Sequence, residues 1–525
     1  MRISSNTIFE SGISAMQQQQ VDLLKTSQQL STGRRILTPS DDPVASARVL
    51  EVSQSVAVNE QYATNRKTAT STLGLEDSLL GSVTSLIQDV QTVAVNGGNP
   101  VLSRDNRASL ATELRGRYQE LLGLANSNDG NGQYLFAGYQ GATKPFTETS
   151  PGNVAYNGDQ GQRLVQIGAS RQLAVSDAGL DIFQRIRNGN GTFVTAASGS
   201  NAGTGIVDGG SVLDPAKWAA APNKDFTIRF AGNVAITAGT ANVATDTVTG
   251  GIVDQAAWDA SSKSLQISVA AGAVAGTFDY TITDAALGSY TVNYDPATQN
   301  PLTVSLDGTG GTFNAGIDLV LSGTAPQAGD TFTVAPSGTP GWTYDIVDNV
   351  SGNSLLTGAA SGGAPYSRTY TSGSTIGLKS QGAEPAFDYG AQLAITGAPA
   401  GGDTFTVKAS SSESLFTTLN NLITALETSA GTALTNKLNT ALTNLDHALT
   451  NVSTVQASVG SRLKELDAAQ SAGEDLNLQY QQTLSDLQDV DPYKAISDLT
   501  QQKMSLEAAQ QAFLKISGLS LFNYL

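Results

Sequence analysis

Two apolar seams at opposite ends of the chain decide what it can fold into. Near the N-terminus Phe9, Ile13, Met16, Gln20, Leu23, Ser27 and Leu30 recur at alternating gaps of four and three. Near the C-terminus Ala495, Leu499, Gln502, Leu506, Ala509, Phe513 and Ile516 do the same. A heptad-like repeat marks a helix that buries one narrow stripe against another helix. A lone helix of this length is marginal in water, so the last one is expected to order only when partner helices are supplied.

The stretch LSTGRRILTPSDDPVASA, Leu30 to Ala47, reads as a corner between two helices. Gly33 suits the left-handed position that closes a helix. Arg34 and Arg35 stand at the negative end of that helix's dipole. Pro39 holds Thr38 extended. Asp42 before Pro43 is an N-cap followed by a good first helical residue, and Asp41 adds charge of the favourable sign. The second helix is expected from Pro43 to about Asn96, a length that suits a rod or bundle. Gly97-Gly98 and Asn99-Pro100 stop it, and a third helix starts with Ser103 as its cap. After the turn pairs Asp129-Gly130 and Asn131-Gly132, QYLFAGY at Gln133 to Tyr139 reads as a strand.

From about Lys144 helical periodicity gives way to Gly, Ala, Thr and Ser. FNAGIDLVLSGTAPQAGDTFTV from Phe313 and FDYGAQLAITGAPAGGDTFTV from Phe387 repeat 74 residues apart. Each unit supplies a strand, a Gly/Pro turn and a second strand. A weaker pair is DPAKW ending at Trp218 and DQAAW ending at Trp258, each followed by a strand. Short alternating strands argue for antiparallel sandwich or barrel modules, with both tryptophans as core anchors. Helical patterning returns at about Ser414 and continues through Leu434, Leu438, Ala441, Leu445, Ala448, Val452 and Val459.

Composition narrows the function. A net charge of −17 disfavours nucleic acid and an anionic membrane as partners. The chain has no cysteine and one histidine, His447, so neither a disulfide nor a histidine-pair metal motif can form. Asp284, Asp330 and Asp403 fall one to a turn and read as turn formers rather than calcium ligands. No catalytic constellation, cofactor motif or membrane-spanning run is legible, and no enzyme activity is expected.

The wording of both ends resembles the bacterial flagellin superfamily. LSTGRRI with PSDDPVASA, YLFAG, and NVSTVQASVGSRLKELDAA from Asn451 carry the likeness. The PSDDP form and the SLFNYL end are similar to the hook–filament junction branch; a filament flagellin or a secreted adhesin are the alternatives. The resemblance implies an α+β multidomain fold, a discontinuous helical bundle and terminal coiled coil with an inserted β-rich outer region. Residues 1–42 and 490–525 would form the coiled coil, and 43–147 with 411–489 the helical core. Residues 148–186 would start the outer domain and 187–410 the repeated insert. It implies a ring of subunits between hook-associated protein 1 and the flagellin filament, an export chaperone, and an extracellular flagellar location reached without a cleaved signal. The assembly residues expected are Phe9, Ile13, Met16, Leu23, Leu30, Gly33, Arg34, Asp41, Asp42, Leu499, Leu506, Phe513 and Ile516.

Overall fold

The computed structural model describes residues 5–243, 245–308, 313–359 and 363–518. The side chains of Phe9 and Ile516, and the SLFNYL end, lie outside the described residues. The N-terminal helices are α1 (Ser5–Thr32), α2 (Pro43–Gly97) and α3 (Arg104–Ala125). Their starts follow the capping residues: the Asp42 carboxylate accepts from Ala45 N at 2.9 Å, and the Ser103 hydroxyl from Asn106 N at 3.2 Å. Next come the hairpins β1 (Phe146–Ser150) with β2 (Asn153–Tyr156) and β3 (Leu164–Gly168) with β4 (Arg171–Ala174). Short α4 (Gly179–Phe183) and β5 (Ile186–Arg187) lead into the middle of the chain.

The chain divides into two compact units. One holds residues up to Gly74, Arg163–Val175 and everything from Val459; the other holds Leu75–Gln162 and Ser176–Ser458. In the second unit Phe136, Phe146, Phe183 and Phe416 form a fully buried aromatic cluster, with Phe146 and Phe183 edge to face at 5.4 Å. The QYLFAGY segment belongs to this cluster but is not the strand its composition suggests. Its backbone bonds go to scattered loops: Ser127 accepts from Leu135, Phe136 from Gly179 and Ala137 from Asp159. Gly138 at φ 69° turns the chain before any ladder can form.

The middle of the chain is two modules of one topology, the second nested inside the first. The host begins with β6 (Phe193–Ala197), β7 (Ile206–Val207), β8 (Ser211–Val212) and α5 (Pro215–Ala220). Then β9 (Asp225–Ala238), 14 residues long, runs through both modules. The nested module continues with β10 (Thr247–Ile252), α6 (Gln255–Ala260), β11 (Leu265–Ala271), β12 (Phe278–Asp284) and β13 (Gly288–Tyr294). It ends with β14 (Leu302–Asp307), β15 (Asn314–Ser322) and β16 (Thr331–Pro336). The host resumes as β17 (Trp342–Asp348), β18 (Arg368–Thr369), β19 (Thr375–Lys379), β20 (Asp388–Thr396) and β21 (Thr404–Ala409). Then β22 (Ser412–Glu413) pairs with β5, and α7 (Leu415–Thr428), α8 (Gly431–Gln488) and α9 (Pro492–Gly518) follow.

Strand order exposes the nesting. The host layer is β18-β17-β9-β21-β6 and the nested layer β13-β12-β11-β16-β9, all antiparallel. The facing host strands β7 and β8 pair with β20, which pairs with β19; in the nested module β10, β15 and β14 do the same. The 74-residue repeat is therefore an arch: β20 and β21 lie in different sheets, and β15 and β16 are separated by β9 and β10, which pair briefly at Gly232 and Asn233. Two glycines fix the matching corners. Gly316 O accepts from Val253 N and Asp254 N at 2.9 and 3.0 Å, as Gly390 O does from Leu213 N and Asp214 N at 2.7 and 3.0 Å. Both glycines have positive φ, and a Cβ on either would strike the backbone of the aspartate. Each module has its own core: Trp258, Ile267, Tyr280 and Tyr294 in the nested one, Trp218, Phe226, Phe230 and Phe405 in the host. The tryptophans are core anchors, as their placement in the repeats suggests.

Gly232 pairs with Trp342, and Asn233 N donates to Gly341 O at 3.0 Å. Removing 234–340 would leave Asn233-Gly341 as a two-residue hairpin turn, the sequence a type I′ turn favours. The shortened chain is expected to keep the host core, read as unchanged exchange protection of β17 and β21. Loss of that protection would show that the nested module is needed to fold its host.

Candidate assembly interface

Helices α1 and α9 pack against each other within the first unit. They run antiparallel: Val490 N, just before α9, donates to Gly33 O at 2.9 Å, while the Phe513 ring lies against Gly12. Ile13, Met16, Leu23 and Leu30 on α1, and Leu499 and Phe513 on α9, are partly buried; Ala495 and Leu506 are buried. The α1 seam differs from the spacing read in the sequence. Thr26 is buried and Gln19 partly so, whereas Gln20 and Ser27 are exposed. The four-three alternation is kept, but it passes through Gly12, Met16, Gln19, Leu23, Thr26 and Leu30. Thr26 can enter because its hydroxyl donates to Asp22 O at 3.0 Å, leaving no unpaired polar group.

The corner after α1 places the remaining expected residues. Gly33 has φ 71°, the left-handed conformation that closes α1. Asp41 Oδ2 accepts from Leu37 N and Thr38 N at 3.0 and 2.8 Å, and its other oxygen meets Lys25 Nζ at 2.7 Å. The Lys25 ammonium and the Thr38 amide hold the Asp41 carboxyl far below the usual carboxylate range. Arg35 does not serve the end of α1. Arg35 N and Nη2 donate to Gln488 O and Leu487 O at 2.6 and 2.9 Å, so the cation caps the C-terminus of α8 instead. The Arg34 backbone bridges to Asp489, bringing the two chain ends together. The reason is geometric: past Gly33 the chain has turned away from α1's last carbonyls and toward those of α8.

Sequence reasoning missed Arg66, which is buried on α2. Its Nη1 donates to Ile167 O on β3 at 2.8 Å and its Nε to Gln470 on α8 at 2.9 Å, while the guanidinium sits on Gly473. The partners lie about a hundred and four hundred residues away, so no local pattern announces them. Both terminal helices also keep apolar side chains in water: Val21 and Leu24 are 57% and 62% exposed, Ile496, Met504 and Leu514 51%, 60% and 68%. Covering a side chain of this size is worth about 1.5–3 kcal/mol. Among the described residues no helix is long and apolar enough to cross a membrane, and no group of three or more His, Cys, Asp or Glu could hold a metal. His447 lies half-buried on α8 beside Gly191.

The terminal helices thus pair within the first unit, and the β-rich segment lies between them in the sequence. Residues 3–141 match the bacterial flagellin N-terminal helical region and residues 442–525 the bacterial flagellin C-terminal helical region. The chain is similar to the flagellar hook-associated protein 3 of Salmonella typhimurium, 41% identical over 186 residues, and to that of Escherichia coli, 40% identical over 186. Those stretches are 35% of this chain and 58% of each relative, so the chain spans little more than half the length of the curated relatives it matches. The crystal structure of hook-associated protein 3 from Legionella pneumophila shares the fold. Its TM-score is 0.52 at 23% identity, over 84% of this chain and 98% of that one. A flagellar junction protein structure from the same organism gives 0.51 at 22%, over 84% and 100%.

Two outcomes test the corner. Gly33→Val should destabilise the first unit by about 1–2 kcal/mol, the cost of forcing a side chain into the left-handed region, and Gly33→Asn by much less. Denaturant unfolding of both variants reads the difference, and equal midpoints would refute the assigned geometry. The Asp41 contribution is complete above the ordinary carboxylate pKa of about 4 and fades as pH falls toward its depressed folded value. Exchange protection of Leu37 and Thr38 should therefore weaken in acid, and Asp41→Asn should remove that acid dependence.

Proposed function

We propose that this chain is a structural subunit of the bacterial flagellum, placed in a ring at the junction of hook and filament. The observation that supports this best is the α1–α9 pair, locked at one end by the corner and still carrying uncovered apolar side chains. In a tubular assembly those side chains would be covered by the terminal helices of neighbouring copies. Hook-associated protein 1 would lie on the cell side and flagellin on the other, with an export chaperone covering α9 beforehand. The expected assembly residues divide accordingly. Ile13, Met16, Leu23, Leu30, Leu499, Leu506 and Phe513 hold the pair, and Gly33, Arg34, Asp41 and Asp42 set the corner. The role is mechanical rather than enzymatic, exercised outside the cell on the flagellum, with neither membrane nor nucleic acid as partner.

Sheared flagella should contain the protein at far below the flagellin amount, and a strain lacking it should release flagellin into the medium. Recovery as the bulk subunit would make it a filament protein instead. Phe513→Asp should leave the melting of the β modules unchanged while abolishing junction assembly. Normal assembly by that variant would exclude the terminal pair as the contact.

A further inference from the structure

We propose that the nested β module holds one proton shared between the buried carboxyls of Asp246 and Asp330, so that this module is more stable in mild acid than at neutral pH. The two residues precede β10 and β16, are 7% and 1% exposed, and lie close enough for Asp330 to raise the Asp246 carboxyl. Asp246 Oδ2 accepts from Tyr280 Oη at 2.9 Å, and Asp330 Oδ1 from Val243 N at 3.1 Å. The remaining oxygens, Asp246 Oδ1 and Asp330 Oδ2, are buried and have no hydrogen-bond partner. The other titratable groups around them are Tyr280 from β12, Tyr294 from β13 and Asp295 just beyond it. Tyr294 spends its proton on Gly323 O at 2.9 Å. No Lys or Arg among the described residues pairs with either carboxyl.

The host module is the internal control. Asp403, the counterpart of Asp330, accepts from Ala202 N at 2.8 Å, Ala400 N at 2.9 Å and Gly203 N at 3.1 Å, so both oxygens are satisfied as a carboxylate. The counterpart of Asp246 is Thr204: it packs on Gly397 as Asp246 packs on Gly323. The Thr204 hydroxyl accepts from Ala398 N at 3.0 Å. One site thus has one carboxylate and enough amides, the other two carboxyls and fewer donors. Two buried carboxylates with no cation between them cannot both stay charged, and a single proton turns the clash into an O–H···O⁻ bond. Burial raises the Asp246 carboxyl, and Asp330 adds to the effect.

A carboxyl raised in the folded state stabilises below its unfolded pKa of about 4, and that stability is lost as pH rises through the folded value. The full-length protein is followed by hydrogen exchange between about pH 4 and about pH 8, corrected for intrinsic rates. Opening of β10, β12 and β16 should grow with pH by up to about tenfold per unit, the slope of one proton. Host strands β17 and β21 should not share that slope, and Asp246→Thr should abolish it. A flat wild-type profile, or the same slope in Asp246→Thr, would overturn the proposal. If that variant does not fold, carbon-13 titration of the wild-type aspartates decides: two ordinary, independent carboxyls would refute a shared proton. Stabilisation at neutral pH by calcium chloride, reversed by a chelator, would also refute it, because the pair would then hold a cation.

Discussion

The carbonyls that end α8 are the point from which both ends of the chain are set. Leu487 and Gln488 accept from Arg35, and Gly33 accepts from Val490, so α1 leaves and α9 arrives at one place. The register of the terminal pair follows from that knot more than from its seam. The seam is a weak guide, since Thr26 is its buried member on α1 and Gln19 and Gln502 stand among partly buried neighbours. Leucine-rich seams select their own register by packing; polar positions in a seam cost stability and leave direction to other contacts. Here the other contact is a set of backbone hydrogen bonds with a charged donor, stronger than neutral ones.

A comparable economy governs the β modules. Because β9 is one strand of both, the nested module continues the host sheet rather than hanging from a linker. The first half of β9 pairs with β17 and β21 and its second half with β16, so the joint is a continuous strand. The matching glycine corners at Gly316 and Gly390 show why the repeat keeps its length: each seats its own short helix at the same place over its own core.

Much of this was legible in the sequence, for identifiable reasons. Helices announce themselves locally, so the ends of α2, α3 and α7 were readable from Asp42-Pro43, Ser103 and Ser414, each of which caps its helix. The 74-residue repeat was visible because β strands write alternating residues into the chain. The nesting was not, since it rests on β9 pairing with β17 and β21, over a hundred residues downstream. QYLFAGY misled because strand composition describes a half-buried surface and not a ladder, and a loop against an aromatic core needs the same residues. Arg35 was assigned to the nearer helix end because sequence distance is the only distance a sequence shows.

Stability is distributed unevenly between the two units. Phe146, Phe183, Phe230, Phe405 and Tyr280 are completely buried, and truncating a side chain of this kind costs about 3–5 kcal/mol. That stabilisation belongs to the chain alone and is present at any dilution. The terminal pair is different, since its apolar residues are mostly half-covered and several face water. Free energy left uncollected in this way becomes available only when something binds, and binding then stabilises by mass action. A chain built like this can keep a firm β-rich body while its ends answer to their neighbours. The exposed residues are spaced singly along α1 and α9, Val21 and Leu24 on one, Ile496, Met504 and Leu514 on the other. Single exposed apolar residues are tolerated on a soluble surface, whereas the same residues brought together by several copies become a core. In the proposed assembly this arrangement would favour many weak, simultaneous contacts over one strong one.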